Sequence, residues 1–336
     1  MDRRISPTKD VEALSSFVQG RALFQAYLGS GHGEELQNAC ERFATAAARD
    51  SEFDIARLYL AVTQTELREP DAAIPNLEEL IERKRYVAEA YVQLAYAHIK
   101  RYRDIDYVAA DRELQNAINA ARSAHREDLI DLIQAYRIFL LAVRGGRGTE
   151  ELAVRKQYLT QAITDGRKLL DRVSARKSAS DQDLAIQFEA RNALGIAFLW
   201  MGELFWSEPN AASAWTEAER YLDSARALRP NSVRALQNMG LLRMLQADRV
   251  HDDPVKANAL YEEAKQFVGE SLSLNSFDQY PHFQMALLLA RTGNWTEAKR
   301  FLDQGKNQKG AISAKKWDSL ENAIDAQDRS AVVTFR

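Results

Sequence analysis

Two helix patterns, repeated along the chain, constrain its fold more than any other feature. Between Ala190 and Pro230, Arg191, Leu194, Gly195 and Phe198 recur at intervals of three to four, as one face of a helix requires. Ala218, Leu222 and Ala225 follow, small at i and i+7 with a large residue at i+4. A small residue is needed where two helices cross closely, because a side chain there would hold the backbones apart. The large residues fill the holes beside the crossing. The small–large–small set returns as Ala39, Phe43 and Ala46 and as Ala110, Leu114 and Ala117, and at the same spacing, with a large third member, as Ala73, Leu77 and Leu80. Downstream it returns as Ala264, Val268 and Ser271, and as Ala298, Leu302 and Gly305. Leu60-Ala61, Leu94-Ala95, Met239-Gly240 and Met285-Ala286 mark the helices that precede these sets. Ala39 to Ala73 and Ala264 to Ala298 both span 34 residues.

In these residues the chain resembles the tetratricopeptide repeat (TPR) family, whose unit is a helix–turn–helix of about 34 residues. The resemblance is strong over 184–306, moderate over 34–123 and weak over 124–173. It implies an all-α, right-handed superhelical solenoid of about seven TPR-like hairpins. Ala311 to Gln327 reads as a C-terminal capping helix, needed to hide the last apolar face of a stack. The polar stretch 174–183 reads as a linker between an N-terminal half, 1–173, and a C-terminal half, 184–327, and 328–336 as a loose tail. The middle is irregular. The apolar helix Leu129–Val143 is closed, on this reading, by Arg144-Gly145-Gly146-Arg147-Gly148, and its partner runs from Thr149 to Val173. Extra residues enlarge the turns at 101–106, before Ala218, and between Leu245 and Asn258.

Composition narrows the function classes. Of 336 residues, 46% are apolar and 28% charged, and 15 Gly and 7 Pro are few enough for continuous helix. A net charge of −3 provides no global field to recruit nucleic acid or an acidic membrane. Cys40 is the single cysteine, and no run of 18 apolar residues occurs, so a cytoplasmic protein without a signal peptide or membrane span is expected, and the irregular middle and enlarged turns suggest a dedicated subunit of bacterial type. The histidines, His32, His98, His125, His251 and His282, are scattered, and Gly29–Gly33 lacks the preceding strand of a phosphate-binding loop. No catalytic residue, metal or cofactor is expected.

The resemblance implies a concave groove, lined by the first helices, that grips a peptide or a partner's helix. By register the groove takes Glu89, Val92, Tyr96, Asn192, Ile196, Leu199, Gln237, Asn238, Leu241, Tyr280, Phe283, Gln284 and Leu287. Its amides can donate to and accept from an extended backbone. The family's chaperone-tail clamp of Lys and Asn is missing, so a C-terminal carboxylate ligand is not carried over. Trp200, Trp206 and Trp215 crowd one turn region, and Trp200 and Trp206 lie off the core stripe Leu194, Phe198, Met201, Phe205. They form either an internal aromatic plug or a binding hot spot. The expected function is a non-catalytic interaction scaffold or regulatory subunit. Its partner-binding residues would be Tyr96, Asn192, Ile196, Trp200, Trp206, Gln237, Asn238, Leu241, Phe283, Gln284 and Leu287. The alternative is nucleic-acid binding through the cluster Lys299, Arg300, Lys306, Lys309, Lys315 and Lys316, against the negative net charge. A second basic run, Arg167, Lys168, Arg172, Arg176 and Lys177, is diluted by Asp165 and Asp171 and reads as a solvated helix end.

Overall fold

A computed structural model of the chain describes residues 8–176, 180–208, 210–250, 252–308, 310 and 312–333. Lys177, His251, Lys309, Ala311, the first seven residues and the last three lie outside that set. Among the described residues there are sixteen α-helices, one 3₁₀ turn and no strand. Fourteen helices pair as seven antiparallel hairpins: α1 (Val11–Ser30) with α2 (Gly33–Arg49), α3 (Asp54–Glu66) with α4 (Pro70–Glu82), and α5 (Val87–Lys100) with α6 (Asp104–Ser123). Next come α7 (Ile130–Arg147) with α8 (Leu152–Ser174), and α9 (Asp181–Leu204) with α10 (Ala211–Leu228). The last two are α11 (Val233–Arg249) with α12 (Pro254–Leu274), and α13 (Gln279–Arg291) with α14 (Trp295–Lys306). A capping helix α15 (Ala314–Asp325) and a short α16 (Arg329–Val333) complete the stack. The architecture is a TPR-like helical solenoid.

Local chemistry sets the helix starts. Asp10 accepts hydrogen bonds from the backbone of Glu12 and Ala13, and Ser180 and Asp183 form a reciprocal capping box. Asp253 caps α12, where Pro254 occupies the first position, whose N–H would have no partner in any case. The small–large–small pattern then sets the packing. Ala218, Leu222 and Ala225 are fully buried, and a Cβ at Gly195 would lie 2.6 Å from Leu222 Cδ2. The same relation joins Gly240 to Val268, with 2.7 Å to Cγ2.

Several sequence expectations change. The extra residues lengthen the helices instead of the turns: α9 runs to Leu204 and α10 begins at Ala211, while α11 runs to Arg249 and α12 begins at Pro254. Gly145 and Gly146 do not close α7, which continues to Arg147. They admit neighbours instead: a Cβ at Gly145 would press on Leu159, and one at Gly146 would run into the Trp200 indole. Of the stretch 174–183, residues 177–179 lie outside the described set; on either side of them α8 ends at Ser174 and α9 starts at Asp181, α7 packs directly on α9, and one apolar core extends from Ala88 to Val332. Arg176 there bridges Asp131 and Asp183. The C-terminal tail is not wholly loose: α16 packs on α13 and α15 and buries Val332 completely, because the apolar edge of the last hairpin needs cover.

Gly195→Leu and Gly240→Leu are each expected to lower the unfolding free energy by about 1–3 kcal/mol through overpacking. Gly29→Ala serves as a control, since a Cβ there meets nothing within 4 Å. Urea titration of the three variants checks this, and an undisturbed midpoint for the first two would show the helix crossings to be elsewhere.

Candidate functional site: a cationic lumen and an apolar turn edge

The solenoid curves until its two ends meet. Asn231 Nδ2, before α11, donates to the carbonyl of Gly29 in the first hairpin at 3.2 Å. Arg68, in the α3–α4 turn with a left-handed φ of +65°, donates to Asp278 Oδ2 at 3.4 Å, to Gln237 Oε1 at 3.3 Å and to the Tyr102 hydroxyl at 3.3 Å. Arg147, the last residue of α7, donates to the Tyr280 hydroxyl at 2.6 Å. Arg234 donates to both Glu189 oxygens at 2.6 and 3.0 Å and to the Tyr96 hydroxyl at 3.1 Å. The bonds to Gly29, Asp278, Gln237, Tyr280 and Tyr96 join hairpins far apart in the chain and turn the concave side into a narrow lumen.

The residues expected to grip a partner mostly line or back this lumen. Asn192, Ile196, Trp200, Gln237, Asn238 and Leu241 meet around a cavity of about 40 Å³. Tyr96 is buried beside it, and Gln284 and Leu287 are buried behind. Phe283 borders a second, larger chamber. The amides satisfy one another and the chain: Asn238 Nδ2 donates to Asn192 Oδ1 at 3.0 Å, Gln237 Nε2 to Asp278 Oδ2 at 3.0 Å, and Gln284 Nε2 to the Gln237 carbonyl at 3.0 Å. A helix about 10 Å across does not fit a cavity of this size.

The inner cavity also holds cations that the helix pattern of the sequence does not mark. Arg68, Lys100, Arg147 and Arg234 line the inner cavity, and no carboxylate does. Lys100 is 3% exposed, with its ammonium 4.9 Å from the Tyr96 ring centre and 5.7 Å from that of Phe139. Burial, with Arg68 adding repulsion, brings Lys100 down to about 8. Burial alone would raise the Tyr102 phenol, but Lys100, Arg68 and Arg147 outweigh it and bring the phenol down to about 7. The outer chamber, about 320 Å³, shares Arg68, Tyr102, Arg147 and Tyr280 with the inner one and adds Arg101, Arg103, Phe283, Ile312 and Lys316, with Asp278, the partner of Arg68, as its one carboxylate among the described residues. Arg68 and Tyr102 both follow a helix in left-handed backbone geometry. A basic residue or phenol at or just past the ends of α3, α5 and α7 was the available signal.

The tryptophans separate by role. Trp200 is buried against Gly146, and Trp215 donates from Nε1 to the Leu199 carbonyl at 3.2 Å, so these two are internal. Trp206 is 55% exposed, with the Arg249 guanidinium 4.6 Å above its ring and Arg249 held by Glu203 at 2.9 Å. Trp206 belongs to a series. Ile105, Val108, Leu152 and Val255 are also exposed, each in the first turns of a second helix. Successive hairpins of this edge touch: Thr149 bonds Asp104, and Lys156 pairs with Glu208 at 2.5 Å. The C-terminal basic cluster is countered by acids. Lys299 pairs with Glu321 and Asp325, Lys306 with Glu321, and Arg300 with Glu297. Among the described residues no group of three or more His, Cys, Asp or Glu is placed to hold a metal, and no helix is long and apolar enough to cross a membrane.

Asp278 stays ionised although buried. Burial would raise its carboxyl, but Arg68, the Tyr280 N–H and Gln237 hold it below its ordinary value. Asp278→Ala would therefore leave Arg68 without an acid partner, and a loss of about 3 kcal/mol is expected in urea unfolding. Tyr102 is expected to ionise near pH 7, seen as a rise in phenolate absorbance that Tyr102→Phe abolishes. Because its native pKa is depressed, its contribution to stability is complete above its ordinary value of 10.0 and is lost as pH falls through about 7. The lowered Lys100 acts in the same sense between about 8 and 10.5, so stability should rise with pH over this range.

No protein-family profile matches the chain, and no curated protein matches it. Among solved structures it is similar to a tetratricopeptide repeat protein from Parabacteroides merdae, at 10% identity over 94% of this chain and 100% of that one, with a TM-score of 0.47. It is also similar to the TPR2AB domain of yeast Sti1, solved in complex with pHSP90, at 12% identity over 96% and 98% of the two chains, with a TM-score of 0.28. Yeast Tom70 is similar at 10% identity over 96% and 97%, with a TM-score of 0.21. These likenesses concern the fold alone.

Proposed function

We propose that this TPR-like solenoid is a non-catalytic scaffold or regulatory subunit that holds a protein partner along its turn edge, with Trp206 as the anchor. The carrying observation is Trp206 itself, a large ring left in solvent on a turn and backed by a fixed arginine. Tryptophan and arginine are the residue types enriched where binding energy concentrates, since each buries much area with few rotors left to freeze. Ile105, Val108, Leu152 and Val255 extend the apolar contact over four consecutive hairpins. Of the residues expected at the partner site, Trp206 faces outward. Tyr96 and Gln237 accept the cross-lumen bonds from Arg234 and Arg68, and Asn192 and Asn238 bond each other between neighbouring hairpins. The single cysteine suits a reducing compartment, and a cytoplasmic setting of bacterial type is part of this proposal.

The test is capture of the partner from cell extract with immobilised protein, followed by affinity measurement on purified components. Trp206→Ala is expected to weaken binding about 30-fold or more, as a hot spot of about 2 kcal/mol would, with unchanged helical content and thermal midpoint. If Trp206→Ala binds normally while the double change Asn192→Ala and Asn238→Ala abolishes binding in a folded protein, the partner site is the lumen and the turn edge is wrong.

A further inference from the structure

The lumen contains more positive charge than its own structure neutralises. Arg68 is paired with Asp278, and Arg234 with Glu189. Lys100 and Arg147 also line the inner cavity, and among the described residues neither has a carboxylate within ion-pair distance. Glu66 and Asp278 reach Lys100 only through longer-range attraction. Arg147 has as neighbours the Tyr280 hydroxyl and the faces of Tyr102 and Tyr280, at 4.9 and 5.4 Å. A buried cation without a counter-ion is costly, and folds seldom retain one for packing alone. Two such cations converge here on one cavity.

The arrangement specifies the missing anion. With Tyr102 in its neutral form, Lys100 and Arg147 together balance a charge of about −2, the state of a phosphomonoester near neutral pH. The donors approach from α5, α7, α11 and the α3–α4 turn, with the Asn192 and Asn238 amides beside them. A tetrahedral group offers oxygens in several directions and can meet donors on all these sides, whereas a planar carboxylate offers two oxygens in one plane. The inner cavity, about 40 Å³, is head-group sized. The outer chamber, about 320 Å³, is at the lower end of small-molecule sites and has an aromatic and aliphatic wall of Tyr280, Phe283 and Ile312. Arg103 and Lys316, both exposed, stand at its rim, where they would draw in an anion.

We propose that the lumen binds a small phosphomonoester, with the phosphoryl head between Lys100 and Arg147 and an apolar or aromatic body against Tyr280, Phe283 and Ile312. This reading is independent of the partner at the turn edge and is tested on the purified full chain alone. Calorimetry compares phenyl phosphate, inorganic phosphate and benzoate on the wild type and on Arg147→Met and Lys100→Met. Phenyl phosphate is expected to bind at least about tenfold tighter than either other probe, and each variant to lose about tenfold or more in affinity. Tyr102 provides a second readout. A dianion beside it disfavours phenolate, so its ionisation should move to higher pH when phenyl phosphate is bound. If a variant does not fold, the movement of Tyr102 in the wild type decides. Absence of binding heat together with a fixed Tyr102 ionisation would overturn the proposal. So would equal affinity for benzoate and phenyl phosphate, or unchanged binding by folded Arg147→Met.

Discussion

The bond from Arg68 to Asp278 and Gln237 determines the form of this molecule, because it ties the second hairpin to the last two across the superhelical axis. An open stack of hairpins touches only its neighbours and bends like a spring, each interface adding a little compliance. Cross-lumen bonds from Arg68, Arg147 and Arg234, and the contact of Asn231 with Gly29, join residues more than a hundred positions apart and remove that compliance. Buried ion pairs of this kind add little net stability, since the desolvation of both charges offsets their attraction. They do fix register: one hairpin more or fewer on the path from Arg68 to Asp278 would leave both charges buried without partners. Closure thus selects one curvature among the many that the same helix hairpins would accept.

This explains what the sequence could and could not reveal. The hairpins were legible because Ala218, Leu222 and Ala225 and their counterparts obey local rules, a small residue at each crossing and a large one beside it. Gly195 and Gly240 fell where that register put them. Curvature is the sum of small rotations at every interface, and no local pattern encodes the sum, so residues assigned to an open groove became the walls of a closed lumen. The same limit applies at Gly145 and Gly146. As a dipeptide they read as a helix stop, and only the approach of Trp200 from α9 explains why the helix continues through them. The lumen cations were illegible for a related reason. Arg68, Lys100 and Arg147 occupy helix ends, where a basic residue ordinarily means no more than a favourable interaction with the helix dipole.

Closure also separates charge by place. The chain as a whole carries −3, yet the inner cavity is lined by cations and no carboxylate among the described residues, so the acidic excess lies outside it. Like charges so near in a poorly solvated space repel strongly. The aromatic rings of Tyr96, Phe139, Tyr102 and Tyr280 relieve part of that repulsion by presenting their faces to Lys100 and Arg147. The Tyr102 phenol goes further, since its ionised form is itself a counter-charge.

The outer edge depends on the same closure. Ile105, Val108, Leu152, Trp206 and Val255 lie on four hairpins, and their mutual spacing is set by the angles between hairpins and by no contact among themselves. In a flexible stack that spacing would fluctuate, and a partner would have to order it on binding, at a loss in affinity. In a closed stack the spacing is fixed when the chain folds. Helix α9 links the two surfaces directly: Trp200 borders the cavity and packs on Gly146 beside Arg147, while Trp206 stands just past the end of the same helix. The lumen and the edge are therefore two faces of one rigid element, and the residues that close the first also hold the second in place.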